Sequence, residues 1–223
     1  MGQFFWADAP KQTAFPIATA GYPFIFASAF STVVFALIGI GWLAGIGMLA
    51  TFFICYFFRD PDRITPAMDT AVISPADGRI VQAGIVSTNP FIPGDCYKIG
   101  IFMSVFNVHV NRIPFSGVIK SISYQPGRFH PADKDAASAQ NEYNAVVLET
   151  DQNQKICFVQ IAGLIARRII CGIREGESVI RGQRFGMICF GSRVDVYLPP
   201  NAKVQISIGD KVAAGYSILG VIE

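Results

Sequence analysis

Between residues 15 and 58 the chain carries no charged side chain, and no other feature restricts its folding as strongly. A helix needs about 20 apolar residues to cross the hydrocarbon of a bilayer, so the run holds enough for two. Gly39 and Gly41, in Ile38-Gly39-Ile40-Gly41-Trp42, offer a place to turn. The reading is a helical hairpin over 22–38 and 42–58. One long tilted or interfacial helix competes with it, because each half is short for a full span. A cleaved signal peptide fits poorly, since the run is too long and begins well inside the chain. Lys11 lies before the run and Arg59 and Arg63 just after it, which suits a hairpin with both ends in the cytoplasm. Residues 1–58 are therefore expected to be membrane-associated, with a working domain over 59–223 on the cytoplasmic side of the cell membrane.

Composition closes off several other classes. The formal net charge of +2 is too small to argue for nucleic acid. Cysteines 55, 96, 157, 171 and 189 are scattered and form no Cys-x-x-Cys pair. Such residues behave as small hydrophobes and favour a reducing compartment over a disulfide framework. With His109 and His130 the only histidines, a His-rich metal site has no material.

After Arg59 the texture changes. Asp60-Pro61-Asp62-Arg63 and Thr65-Pro66 form a proline-punctuated linker. Short Val- and Ile-rich runs then alternate with glycine and proline turns, over 71–74, 79–85, 97–103, 117–124, 145–149, 155–164, 167–171, 194–198 and 204–208. They read as strands of a mostly β domain. Residues 132–140 are the one candidate helix there, or else a loop. Two stretches share a Gly-x-x-Val-x-x-Gly pattern, 176–182 and 209–215. They resemble the hairpins of lipoyl- and biotinyl-carrier barrel-sandwich domains. Neither places a lysine at the tip as a carrier needs, so the resemblance concerns the fold alone.

The stretch Cys189-Phe190-Gly191-Ser192-Arg193-Val194-Asp195 carries the chemistry of most interest. A serine hydroxyl beside a glycine carbonyl is the pairing needed for an N-to-O acyl shift. Elimination from the resulting ester leaves dehydroalanine, and hydrolysis gives a pyruvoyl group. Alone, such a dipeptide is usually a plain turn. Three other stretches hold candidate partners. Asp77, in Ser74-Pro75-Ala76-Asp77-Gly78, is a turn residue or an acid that orients a histidine. His109, in Asn107-Val108-His109-Val110-Asn111-Arg112-Ile113-Pro114, is a core histidine or a base and acid working near neutral pH. Asn141 could orient a substrate group or end a loop, and His130 looks less well placed. Arg167, Arg168, Arg174, Arg181, Arg184 and Arg193 crowd the region around the Gly-Ser bond, as a solvated face or a contact for anionic lipid.

Pro-Ala-Asp-Gly, Asn-Val-His-Val-Asn-Arg-Ile-Pro and Phe-Gly-Ser-Arg-Val-Asp occur in this order after Phe57-Phe58-Arg59-Asp60-Pro61-Asp62-Arg63. Together they resemble the phosphatidylserine decarboxylase family, most closely its short bacterial and archaeal subfamily, from Phe57 to the C-terminus. The resemblance implies a proenzyme that cleaves itself between Gly191 and Ser192 into a β chain, 1–191, and an α chain, 192–223. The cofactor would be a covalent pyruvoyl group formed from Ser192, with no metal. Asp77, His109 and Ser192 match the acid, base and nucleophile of self-processing. The reaction implied is decarboxylation of phosphatidylserine to phosphatidylethanolamine, with carbon dioxide released. Phe102, Phe106, Asn141 and Phe190 are candidate substrate contacts. The partners expected are phosphatidylserine in the membrane and the two cleaved chains as a heterodimer or a higher oligomer of it, without nucleic acid. Longer members carry a second histidine three residues after the first, where this chain has Arg112, so His109 is expected to serve both cleavage and decarboxylation. Two alternatives stay open: the same chemistry on archaetidylserine, and a membrane-anchored barrel-like binding module that never cleaves.

Overall fold

The structure, a computed structural model, describes residues 4–5, 7–8, 16–87, 89–127, 141–163, 168–189 and 191–222. Two compact units divide the chain. Lys11–Asp62 forms one, and Met1–Pro10 with Arg63–Glu223 forms the other.

In the smaller unit, α1 (Tyr22–Leu37) and α2 (Gly41–Phe57) form a helical hairpin. Pro23 opens α1, where its missing N–H costs nothing. Gly39 turns the chain at φ +79°, a left-handed value that favours glycine. The helices pack closely because Gly47 leaves room for the Thr32 hydroxyl, and the Ser28 and Thr51 hydroxyls share a 2.8 Å hydrogen bond. At the base, the Ala18 N–H donates to the Phe58 carbonyl at 2.8 Å and the Asp60 N–H to the Pro16 carbonyl at 2.8 Å. The helix boundaries lie within one residue of the sequence expectation, and the hairpin displaces the single long helix. Phe26, Phe30, Leu37 and Leu49 stand exposed on the helices. Thr19–Leu37 is long and apolar enough to cross a membrane, and Gly41–Phe57 is shorter.

The larger unit is antiparallel β structure. A short pair, β1 (Phe4–Phe5) and β2 (Thr65–Pro66), precedes the main body. The other strands are β3 (Ala71–Ile73), β4 (Gly78–Val86), β5 (Cys96–Met103), β6 (Val110–Arg112), β7 (Gly117–Gln125), β8 (Tyr143–Glu149) and β9 (Lys155–Ala162). They continue with β10 (Ile169–Cys171), β11 (Ser178–Val179), β12 (Arg184–Ile188), β13 (Ser192–Leu198), β14 (Lys203–Val204), β15 (Lys211–Val212) and β16 (Ile218–Val221). An eight-stranded sheet runs β11-β7-β8-β9-β13-β5-β4-β15, with three-stranded sheets β10-β12-β6 and β14-β16-β3 beside it. The mostly β expectation therefore holds. The 204–208 run is strand only over β14, and the 132–140 candidate helix lies outside the described residues.

The strand registers form an internal two-fold repeat about the β9–β13 pair. One copy, β6 to β12, is continuous in sequence. The other is split, with β3 to β5 before it and β13 to β16 after it. Val212 pairs with Gly78 as Val179 pairs with Gly117. The β4–β5 register shifts between Ile80 and Gln82, and the β7–β8 register shifts at the matching place, between Ile119 and Ser121. The Gly215 N–H donates to the Ser74 carbonyl as the Gly182 N–H does to the Ile113 carbonyl. The repeated Gly-x-x-Val-x-x-Gly hairpins are the visible trace of this symmetry in the sequence. Each copy has its own apolar core: Ile80, Ile99, Ile101, Val196 and Val212 in the split copy, and Ile119, Val146, Leu148, Phe158 and Val179 at the matching places in the other.

Gly78 and Gly117 are matched by this symmetry and share one constraint. A Cβ on either would run into a backbone carbonyl, that of Phe102 or of Glu149. Gly78→Ala and Gly117→Ala should each destabilise the protein by about 1–3 kcal/mol through overpacking. Gly84→Ala, at a strand site with open space, should not. Denaturant midpoints of the three variants check this.

Candidate active site

Ser192 opens β13, paired with Met103 at the end of β5 and with Ala162 at the end of β9. It is wholly buried, and its Oγ donates to the Met103 sulfur at 3.4 Å. A thioether is a weak acceptor, so the hydroxyl is held lightly. Gly191 before it sits at φ +55°, in the left-handed region. In the continuous copy the matching residue is Asn153, at φ +58° in the tight turn between β8 and β9. The Gly-Ser bond thus stands where the fold calls for a hairpin turn.

His109 is fully buried just before β6. Its Nδ1 lies 2.9 Å from the Asn107 carbonyl oxygen. A carbonyl only accepts, so Nδ1 carries a proton, and in the neutral form of the ring Nε2 is the basic nitrogen. The His109 carbonyl accepts from the Ile188 N–H at 3.4 Å, which ties the histidine to the strand leading to Gly191. Asn111, two residues on, lies 3.9 Å through its Nδ2 from the same Met103 sulfur.

Asp77 stands at the start of β4, beside the end of β5. Its Oδ1 accepts from the Ala214 N–H at 2.7 Å and its Oδ2 pairs with Arg63 at 3.0 Å. The structure therefore brings the Asp77 turn to the His109 strand, with the Arg112 N–H donating to the Pro75 carbonyl at 2.9 Å, but engages the carboxylate with Arg63 and Ala214. Arg112 itself is buried; it donates to the Gly182 carbonyl at 2.9 Å and pairs with Asp8 at 3.7 Å. It takes up a structural tie at the place of the second histidine.

The candidate substrate contacts separate. Asn141 is buried, and its Nδ2 donates at 2.7 Å to the carbonyl of Ala162, the β9 partner of Ser192. Phe102 pairs with Arg193 and, by strand alternation, projects from the face opposite Met103 and Ser192. Phe106 is exposed in the turn before His109. Phe190, Arg167 and His130 lie outside the described residues. Met103 is the site residue that sequence reasoning missed, being an ordinary apolar strand end. Burial pushes the Cys189 thiol upward, partly offset by Arg168. At neutral pH it stays a thiol, two residues from Gly191.

Of the six arginines expected around the Gly-Ser bond, Arg168 and Arg174 are exposed, while three others are tied into the fold. Arg181 and Arg193 are buried, and Arg184 pairs with Asp8 at 3.1 Å. The Arg193 guanidinium lies where Gly100 leaves space, bonded to Asp195 and Gln82. Lys98 pairs with the other Asp195 oxygen at 2.9 Å. Asp195→Asn would leave two buried cations with no carboxylate between them. The expected cost is about 3–5 kcal/mol, read from the unfolding midpoint.

A sequence model of the phosphatidylserine decarboxylase family matches residues 50–220. The phosphatidylserine decarboxylase proenzyme of Syntrophus aciditrophicus (strain SB) is 47% identical over 205 residues, covering 92% of this chain and 96% of that protein. Its namesake in Geotalea uraniireducens (strain Rf4) is 48% identical over 207 residues, covering 93% and 97%. That of Nitrosomonas europaea is 49% identical over 204 residues, covering 91% and 94%. The similarity runs through the β domain and the end of α2, including every candidate site residue from Asp77 to Ser192. The chain belongs to the phosphatidylserine decarboxylase family.

Proposed function

We propose that the chain is a membrane-bound proenzyme that cleaves its own Gly191–Ser192 bond and decarboxylates phosphatidylserine with the pyruvoyl group formed at residue 192. One observation carries the reading. The fold repeats itself, and the places of Ser192 and Asp77 are filled in the continuous copy by Gln154 and Ser116, and that of His109 in the split copy by Thr70. Ser116 meets the same structural need as Asp77: its Oγ accepts from the Arg181 N–H at 3.0 Å as Asp77 accepts from the Ala214 N–H. A hydroxyl suffices for the fold there. The carboxylate, imidazole and serine are surplus to folding and fit chemistry.

The residues fit the making of a pyruvoyl group. Ser192 Oγ bonds to the Gly191 carbonyl carbon while His109 takes the hydroxyl proton. The C–N bond breaks, the nitrogen takes up the proton, and an ester links Gly191 to the Ser192 side chain. A base then removes the residue-192 Cα proton and the Cβ–O bond breaks, releasing Gly191 as a carboxylate and leaving dehydroalanine. Water hydrolyses this enamine with loss of ammonia. Asp77 stabilises the protonated imidazole electrostatically, from a carboxylate held by Arg63 and Ala214.

When formed, the group supplies an electron sink for the charge left as carbon dioxide departs. The protein keeps water from it: Ser192, His109, Met103 and Ala162 are all fully buried. A water-poor surrounding disfavours the substrate carboxylate relative to the dispersed charge that follows. His109 then returns a proton to the substrate carbon. The α chain, 192–223, stays seated after cleavage because β13 is paired along both edges, to β5 and β9. The uncharged helical hairpin accounts for a substrate that resides in a bilayer.

Intact mass of the purified protein tests the reading. Two chains split at Gly191, the smaller blocked at its start by a group that traps borohydride, are expected. Ser192→Ala should remain one chain and release no carbon dioxide from phosphatidylserine vesicles. Asp77→Ser, copying the other half of the repeat, should fold but cleave at least about 100-fold more slowly. A wild-type chain that stays intact in a folded preparation would leave the binding-module reading in its place.

A further inference from the structure

A buried chain of side-chain amides runs from the site into the continuous copy. Asn111, Gln160 and Asn144 are all buried. Gln160 Nε2 donates to Asn111 Oδ1 at 2.9 Å, and Asn144 Nδ2 donates to Gln160 Oε1 at 3.1 Å. Gln160 Nε2 also reaches the Ile170 carbonyl at 3.3 Å. These links fix which way each amide faces. With Oδ1 committed to Gln160, Asn111 turns its Nδ2 toward the Pro75 carbonyl at 3.5 Å and the Met103 sulfur at 3.9 Å. Met103 holds the Ser192 hydroxyl, and Pro75 belongs to the turn carrying Asp77.

The repeat supplies an internal control. Asn111 matches Val72 by register, since Val72 faces Gly220 as Asn111 faces Gly186. Gln160 matches Leu198. Both Val72 and Leu198 are fully buried in an apolar core. The same backbone therefore packs well with hydrocarbon at these places, and burying polar amides there costs desolvation that the fold does not require. Asymmetry between two otherwise matched cores marks a role other than folding.

Building on the self-cleavage reading, we propose that Asn111, oriented by Gln160 and Asn144, is a positioning residue for cleavage. It fixes the Met103 side chain and the Asp77 turn, and through them the Ser192 hydroxyl that attacks Gly191. A nucleophile displaced by about 1 Å loses on the order of 100-fold in rate.

The test uses the full-length proenzyme made by cell-free synthesis in detergent, with cleavage followed over time by intact mass. The triple variant Asn111→Val, Gln160→Leu, Asn144→Leu carries hydrocarbon along the whole chain, as Val72 and Leu198 do in the split copy. It should keep its thermal transition within a few degrees of wild type and cleave about 100-fold more slowly. Asn111→Asp is the second variant. It keeps the acceptor for Gln160 but donates only when the buried carboxyl is protonated. Its rate relative to wild type should therefore rise as pH falls. A triple variant that cleaves at the wild-type rate overturns the proposal. So does a pH-independent ratio for Asn111→Asp, which decides the matter if the triple variant fails to fold. Wild-type protein that does not cleave overturns instead the self-cleavage reading on which the proposal rests.

Discussion

The antiparallel pairing of β9 with β13 is the interaction on which the rest of the β domain depends. It joins the two copies of the repeat, and its register, Asp195 opposite Val159 and Tyr197 opposite Cys157, is symmetric about its own centre. A strand register cannot slip by one residue without turning every side chain to the wrong face. That pairing fixes where β13 begins, and so places Ser192 opposite Ala162 and Met103. The site is a consequence of the strand ladder rather than of a flexible loop.

A duplicated fold with one copy inserted into the other creates a particular opportunity. In the continuous copy, β8 and β9 are joined by a short turn at residues 150–154. In the split copy the same place is open, because β5 leads into the inserted copy and β13 returns from it. A backbone break there severs no strand, and both edges of β13 stay hydrogen-bonded. The fold thus tolerates a cut at Gly191–Ser192 far better than at most buried positions. The left-handed glycine before the serine is the remnant of the turn geometry, used here at the start of a strand.

The two faces of β13 divide the work. Ser192, Val194 and Val196 face an apolar core that excludes water from the hydroxyl. Arg193, Asp195 and Tyr197 face the other way, into a buried charged layer with Lys98. Burial pushes the Tyr197 hydroxyl upward, reinforced by Asp195, so it remains neutral beside the ion cluster. Such a layer is costly to desolvate and sensitive to loss of any member. It holds the strand carrying Ser192 from behind.

The sequence by itself determined an apolar helical segment, through a long uncharged run, and its central Gly-x-Gly offered the turn that the structure uses to make a hairpin rather than one long helix. It also determined the mostly β domain, through short Val- and Ile-rich runs between turns, and it pointed to Ser192, His109 and Asp77 through motifs whose chemistry is local. Three-residue β6 was not legible, since too few residues carry a period, nor was the role of Met103, which looks like any apolar strand end. Arg181 and Arg193 read as part of a basic face because charge is legible in a sequence while burial is not. Only the tertiary structure decided these points, and it alone revealed the full two-fold repeat, which is written mainly in strand registers and hydrogen bonds and shows in the sequence only as the paired Gly-x-x-Val-x-x-Gly hairpins. Pairing brings together residues far apart in the chain, and the contacts that fix a site's geometry belong to those pairs.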